Sequence, residues 1–358
     1  MIMLLSNKYF VNNSILITGV AGFIGYHLAN RLLNDLKGIR VIGVDSLNDY
    51  YDLRLKNYRI DLLKKYENFD FRRIDISNKT ELDNIFVLER PSVVINLAAQ
   101  AGMRYSISHP QSYMDSNVIG FYNILEACRH SYDNGEIGVK HLIFASSSSV
   151  YGVNSSIPYS TDEKVDCPVN LYAATKRCDE LFAYSYSKLY GIPCTGLRFF
   201  TVYGPMGRPD MAYFDFTNKL KRGEKIPLFN YGKSKRDFTY VDDIVEGICR
   251  VILHAPKSIN EENDNTFAPY KLYNIGRGEP VDLLDFVTIL HEELKAVGVL
   301  PYNLDINNYI ELYPMQKGDV AITYADTTSF ERDFNFKPTI SLREGLKQFA
   351  RWYADYYL

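Results

Sequence analysis

Short, unbroken apolar runs alternate with amphipathic stretches along the first 200 residues. SILIT (14–18), RVIGVD (40–45), FRRIDI (71–76), SVVINLAA (92–99), HLIFASS (141–147) and PCTGLRFF (193–200) predict buried strands. Between them YHLANRLLNDL (26–36) places Leu28, Leu32, Leu33 and Leu36 at helical spacing, and 78–89, 111–131 and 170–190 continue the helical pattern. Strands apolar throughout and separated by helices predict an α/β fold, a doubly wound parallel sheet covered on both faces. After about residue 200 the rhythm loosens into polar stretches such as GKSKRDFTYVDD and SINEENDNTFAPY. Two later pieces still have sheet-domain character, the helix VDDIVEGICRVILHA and the strand KLYNIG.

Composition narrows the function classes. Lys+Arg 40 against Asp+Glu 43 gives a formal charge of -3, without the basic excess of a nucleic-acid binder. No apolar run reaches the ~18 residues that span a bilayer. The opening MIMLLSNKYFVNNS lacks a basic segment and a small-residue cleavage site, so it does not read as a signal peptide. Five cysteines (Cys128, Cys167, Cys178, Cys194 and Cys249) show no C-x-x-C pair and read as reduced thiols of a cytoplasmic protein. The six histidines have no metal-ligand spacing, so no metal is expected.

The first chemical signal is ITGVAGFIG, where Gly19, Gly22 and Gly25 stand at the turn from first strand to first helix. A helix N-terminus offers N–H groups and the positive end of its dipole to a pyrophosphate, and glycine lets the phosphate approach the backbone. Asp45 ends the second strand, where a carboxylate accepts hydrogen bonds from an adenosine ribose. No arginine follows immediately to receive a 2′-phosphate, which favours NAD over NADP. Asp75 and Ile76, after the third strand, suit an adenine contact and equally suit a structural turn.

NLYAATKR then puts Tyr172 and Lys176 four residues apart on one face at the start of a helix. A free phenol titrates near ~10 and is a weak base at neutral pH. A lysine cation and an oxidised nicotinamide nearby favour the phenolate, as alcohol–ketone hydride chemistry requires. The serine run ASSSSVYG supplies a third group, Ser147, at the end of a strand.

Together the glycine motif, Asp45, NLAAQ, the serine run, Y-x-x-x-K and YVDD resemble the extended short-chain dehydrogenase/reductases acting on nucleotide sugars, from about residue 14 to 350. GVDSLNDYYD, NLAAQAGMRYSI, LYAATK, TVYGPMGRPDMA and MQKGDV resemble UDP-glucuronate 4-epimerases, including the bacterial capsule and O-antigen type. The resemblance implies a Rossmann domain for NAD over 1–200, with 238–256 and 271–276 packing back onto it, and a smaller C-terminal α/β lobe for the UDP-sugar over 201–358. It implies catalysis by Tyr172, Lys176 and Ser147. NAD contacts are implied at Phe23, Ile24, Leu97, Ala98, Ala99, Asn117 and Phe200, besides the glycines, Asp45, Asp75, Ile76, Tyr172 and Lys176. Arg236 is implied at the UDP diphosphate and Phe229 near the uracil. Arg104 stands either toward the substrate or in solvent, and Gln316 replaces an arginine carried by many UDP-galactose 4-epimerases.

A 4-keto glucuronate is a β-keto acid and loses carbon dioxide readily. Thr201 and the isolated Arg208, in RFFTVYGPMGRPDM, with Ser148 and Ser149, are expected to hold the C5 carboxylate by charge-assisted hydrogen bonds. Related decarboxylases and 4,6-dehydratases carry an acidic residue just after the Ser147 equivalent. Ser148 and Ser149 stand there instead, which argues for epimerisation over UDP-glucuronate decarboxylation, with 4-epimerisation of another UDP-hexose as the other alternative. The complete Ser-Tyr-Lys set argues against a non-enzymatic NAD-binding protein. The family further implies a homodimer through helices 111–131 and 170–190, with Leu181, Phe182 and Tyr186 outward.

Overall fold

A computed structural model of the chain describes residues 14–36, 38–133, 138–153, 156–260, 266–316 and 318–358. The opening segment, read as no signal peptide, lies outside them to residue 13, and so do five residues (261–265) of the acidic loop. The chain divides into two compact units. The first holds residues to Tyr151 with Val165–Arg198 and Val245–Tyr273, and the second holds Gly152–Lys164, Phe199–Ile244 and Asn274–Leu358. The division therefore does not fall once, near residue 200; the chain changes unit several times.

The first unit is built on a seven-stranded sheet in the order 270–275, 194–199, 141–147, 93–96, 14–18, 40–45, 69–73. Pairings from Phe69–Arg73 across to His141–Ser147 are parallel. Ser14–Thr18 and Val93–Asn96 are neighbours in the sheet but far apart in sequence. They mark the switch point where helices change face and a crevice opens at the strand C-termini. The strands carry almost no exposed residue because helices cover both faces; one core cluster gathers Leu16, Val94, Leu142 and Phe144 with Phe121, Ile124 and Leu125. Each such fully buried side chain contributes about 1.5–3 kcal/mol.

Two elements differ from the sequence pattern. The third strand is Phe69–Arg73, ending before Ile74, so Asp75 and Ile76 lie in the following turn. The predicted helix 111–131 is broken into Pro110–Tyr113, a π-helical turn Met114–Ile119 and the α-helix Gly120–His130. A π turn inserts one residue into the helical repeat and rotates the remainder of the helix about its axis. Here it brings Asn117 inward, where it is buried.

The second unit contains a three-stranded sheet in the order 280–282, 235–240, 201–203 and a two-stranded pair, 226–228 with 310–312. Helices Ala212–Lys221, Leu283–Ala296, Thr328–Phe334 and Leu342–Tyr357 belong to it. Asp237 pins its turns, accepting from the backbone N–H groups of Arg277, Gly278 and Ala325 at 2.9–3.0 Å. Among the described residues no helix is long and apolar enough to cross a membrane.

Candidate active site

The glycine turn sits at the switch point. Gly19 has φ +70°, and a Cβ there would lie 2.7 Å from the backbone N of Ala98, so the turn touches the end of the neighbouring strand. A Cβ on Gly25 would lie 2.2 Å from the Gly19 carbonyl oxygen and one on Gly22 at 2.9 Å, so all three must lack side chains for the turn to close. Gly22 caps helix Phe23–Asp35, which has no side-chain cap and no acidic residue in its first turn. Its N–H groups and dipole are thus left for an anionic ligand, which fits a pyrophosphate. Phe23 is buried and Ile24 half-buried in that first turn.

Asp45 is anchored where its strand ends. Its two carboxylate oxygens accept from Ala21 N at 3.1 Å and Leu47 N at 2.9 Å. Burial pushes its carboxyl up, and those N–H groups with Lys56 and Arg59 pull it back. Arg59, which sequence reasoning passed over, is fully buried with Nη1 donating to the Ala21 carbonyl at 2.7 Å and to Tyr51 Oη at 2.7 Å. Lys56 likewise donates to Asn48 O and Oδ1. Both nearby cations are thus engaged by the protein itself, consistent with a ribose hydroxyl pair at Asp45 and not a phosphate.

Leu97, Ala98 and Ala99 follow the central strand and are half-buried. Thr18 Oγ1 fixes this end, donating to Asn96 Oδ1 at 2.6 Å and accepting from Ala98 N at 3.2 Å. Asn117 spans the gap to the tyrosine helix. It accepts from Gln100 N at 2.8 Å and donates to Gln100 O at 3.1 Å and Thr175 Oγ1 at 2.9 Å. Asp75 is exposed, its Oδ1 taken by Ser77 N and Oγ, whereas Ile76 is buried in the core cluster. The Asp75 carboxylate therefore makes a local turn.

Helix Leu171–Tyr190 starts from Asn170, whose side chain accepts from Ala173 N, and packs on strand His141–Ser147 and the turn Ser148–Tyr151. It thereby brings Tyr172 and Lys176 onto the element that ends in Ser147. Ser147 Oγ accepts from Ser149 N at 3.1 Å, and the buried Ser149 Oγ has no hydrogen-bond partner among the described residues. The Tyr172 ring is half-buried and meets Tyr113 edge-on at 6.0 Å between centroids. Tyr113 is fully buried and donates to Ala101 O at 2.9 Å, a positioning contact that no sequence motif marks. Lys176 is 2% exposed and donates to Asp179 Oδ2 at 2.7 Å. Behind it Glu180 accepts from Ser146 Oγ (2.6 Å), from Arg198 Nε and Nη2 (2.7 and 2.8 Å) and from Arg177 Nη1 (3.0 Å).

In the second unit Phe200 is buried, its N–H on Ile275 O. Thr201 is half-buried and opens a short strand in register with Phe238; the sequence had placed it in a loop. Arg208 is not isolated: its Nε and Nη2 meet Asp210 Oδ1 and Oδ2 at 3.0 and 2.5 Å. The Phe229 ring lies 5.8 Å from that of Tyr313. Arg236 Nη2 donates to Asp319 Oδ1 at 2.7 Å and its Nη1 to the carbonyls of Lys235 and Ala321. The Arg236 guanidinium is thus anchored by its own unit. Gln316 Oε1 is buried with no hydrogen-bond partner among the described residues. Arg104, in the first unit, is exposed at the start of the single turn Tyr105–Ser108.

Residues 15–276 match the NAD dependent epimerase/dehydratase family. The chain is 49% identical to Protein CapI of Staphylococcus aureus over 96% of this chain and 99% of that relative. It is 42% identical to UDP-glucuronate 4-epimerase 3 of Arabidopsis thaliana over 96% of this chain and 77% of that one. Among solved structures it resembles UDP-glucuronic acid 4-epimerase from Bacillus cereus in complex with UDP-glucuronic acid and NAD, with a TM-score of 0.82 and 31% identity over 96% of this chain and 100% of that one. The cradle at the switch point, the Ser147–Tyr172–Lys176 set and these likenesses agree, and the chain belongs to the NAD-dependent epimerase/dehydratase family.

Proposed function

We propose that this protein interconverts UDP-glucuronate and UDP-galacturonate by inverting C4 through a 4-keto sugar, forming a precursor for surface polysaccharide. The observation that carries the proposal is the Tyr172–Lys176 helix seated on the strand that ends in Ser147, within this family's fold. When bound, NAD supplies a reversible hydride acceptor for C4. Tyr172 takes the C4 hydroxyl proton at its phenolic oxygen and returns it to the C4 oxygen after the keto sugar has turned its other face to the cofactor. Ser147 holds the C4 oxygen by a hydrogen bond, and the Lys176 cation favours the phenolate. The glycine turn and the Phe23–Asp35 N-terminus hold the cofactor's phosphates, Asp45 its ribose, and the remaining contacts, the Asp75 carboxylate aside, are those the family resemblance implies.

Arg236 holds the UDP diphosphate, with the Phe229–Tyr313 pair beside the uracil. Arg208, Thr201, Ser148 and Ser149 grip the C5 carboxylate. Asp210 fixes the direction of the Arg208 guanidinium. Hydrogen bonds to the carboxylate weaken as its charge leaves during decarboxylation, so they stabilise the ground state more than that transition state and raise the barrier. No carboxylate stands at 148 or 149 to serve a second acid–base step.

The active form is a cytoplasmic homodimer through 111–131 and 170–190. Leu181, Tyr184, Leu189 and Tyr190 are exposed on the second of these and Ile119 and Tyr122 on the first, which supports such an interface. Phe182 and Tyr186, expected outward, instead pack on the core of their own unit, with Tyr186 donating to Glu126 at 2.7 Å. Incubation with UDP-glucuronate and NAD, followed by proton NMR, tests the function. UDP-galacturonate is expected; a UDP-pentose with carbon dioxide, or no conversion, overturns it.

A further inference from the structure

Lys176 shares its burial with a carboxylate. Its Nζ is 2.7 Å from Asp179 Oδ2, and the two side chains are 2% and 1% exposed. The other oxygen, Asp179 Oδ1, is buried with no hydrogen-bond partner among the described residues, so this carboxylate is held by the lysine and not by a backbone network. Residues 172, 176 and 179 are spaced i, i+4 and i+7, placing phenol, cation and carboxylate in that order along one helix face. A lysine so desolvated gives up its proton readily unless an anion compensates it.

We propose that Asp179 is a positioning residue for catalysis, the counter-ion that keeps Lys176 charged and aimed along the face that carries Tyr172. The carboxylate lies one turn beyond the lysine, so the pair forms a dipole with its positive end toward the tyrosine. The cation can then lower the phenol's proton affinity while its own desolvation is offset. Burial pushes the Asp179 carboxyl up to about 7 even though Lys176 pulls it down, so the lysine is the one strong partner that favours its ionised form. The charged groups acting on Asp179 are Lys176 and Glu180 of its own helix; burial, and after it Asp179, raises the neighbouring Cys178 thiol. Elements packed against this face contribute Asn117 to Thr175 and Tyr113 to Tyr172, both uncharged.

The inference rests on the role proposed for Lys176 in catalysis, and its test separates the two. In Asp179→Asn the lysine loses its counter-charge, and its desolvation is no longer offset. The alkaline limb of the turnover profile should move down by at least about one pH unit, and Asp179→Glu should restore it. NAD affinity, measured by titration calorimetry without substrate, should fall at least about tenfold between about pH 7 and 9 in Asp179→Asn and change little in the wild type. This arm reads Lys176 even if the wild type fails to epimerise UDP-glucuronate, an outcome that would sink the function and not the counter-ion. A uniform loss of turnover with neither limb nor affinity shifted would overturn the proposal. Should Asp179→Asn be insoluble, Lys176→Met combined with Asp179→Leu decides. Recovery of a soluble fold supports charge compensation, and failure to recover assigns Asp179 some other task.

Discussion

Glu180 offers the sharpest test of how the catalytic elements are held. Its carboxylate is fully buried against Arg198, itself 1% exposed, and it also takes the Ser146 hydroxyl. Glu180→Gln preserves shape but turns one oxygen into a donor. Arg198 offers only donors along the fork, at 2.7 and 2.8 Å, so at most one of the two bonds survives and the other position becomes a donor–donor clash. Removing one partner of a buried pair costs about 3–5 kcal/mol. The Tyr151 ring, 4.8 Å from the guanidinium, retains part of the cation's stabilisation, which points to the lower end, about 3 kcal/mol. For a unit of this size that is a fall in melting temperature of roughly 6–12 °C. Urea and thermal unfolding of the full chain measure it, with Asp83→Asn as control. Asp83 pairs with Lys79 at the surface, where a pair contributes at most about 1 kcal/mol. Because Ser146 precedes Ser147, turnover should fall as well, while NAD affinity at the glycine turn holds. A Glu180→Gln protein as stable as the control would refute the reasoning.

Tyr172→Phe removes the proposed proton acceptor, so turnover should drop about 10²-fold or more with NAD still bound, and near-normal turnover would displace the assignment. Because the hydride is returned to the same sugar, a deuterium at C4 should remain in the product and reduced cofactor should not accumulate; stoichiometric NADH would indicate a net dehydrogenase. Arg208→Ala should weaken UDP-glucuronate binding by about 1.5–3 kcal/mol and leak carbon dioxide with a UDP-4-keto-pentose, while UDP-glucose binding changes little. Burial lowers His141, which contacts Thr195 Oγ1 at 2.8 Å, from 6.5 to about 4, so the unfolded chain takes its proton first. Stability should therefore decline as pH falls from about 6.5 to about 4, by about 3 kcal/mol in all, and His141→Asn should flatten that decline in urea titrations.

What the sequence made legible was what short-range geometry dictates. Gly19, Gly22 and Gly25 were readable because a turn that tight excludes side chains, and Tyr172 with Lys176 because a helix sets their face. The parallel, doubly covered sheet needed only the alternation of apolar and amphipathic runs. The π turn at Met114–Ile119 was not readable, because one inserted residue leaves the local hydrophobic pattern almost unchanged. Arg208 read as isolated although Asp210 stands two residues on, since a loop's sequence does not say which way its side chains fold back. Arg59 and Arg198 carried no signal at all; their burial depends on carbonyl and carboxylate partners supplied by distant segments. One clue was available for Glu180: Lys176, Asp179, Glu180, Ala183 and Ser187 form a single stripe, and a stripe with an alanine and a serine at its far end is unlike a solvated face.

That stripe explains why two ion pairs lie side by side on the tyrosine helix. The chemistry proposed for Tyr172 needs a cation within one helical turn, and a cation in so dry a place is unstable by itself. Asp179 offsets this locally, but a pair confined to one helix fixes nothing relative to the sheet. Glu180 does the complementary task. Its partners Ser146 and Arg198 lie on the two strands beneath, so its carboxylate ties the helix to the strand that ends in Ser147. A polar network with several well-aligned partners tolerates little sliding, whereas an apolar contact of the same area would accept small shifts. Charge compensation and register are thus divided between adjacent residues, and the two should be separable. Neutralising Asp179 should alter the pH profile, whereas neutralising Glu180 should lower stability and turnover without moving either limb.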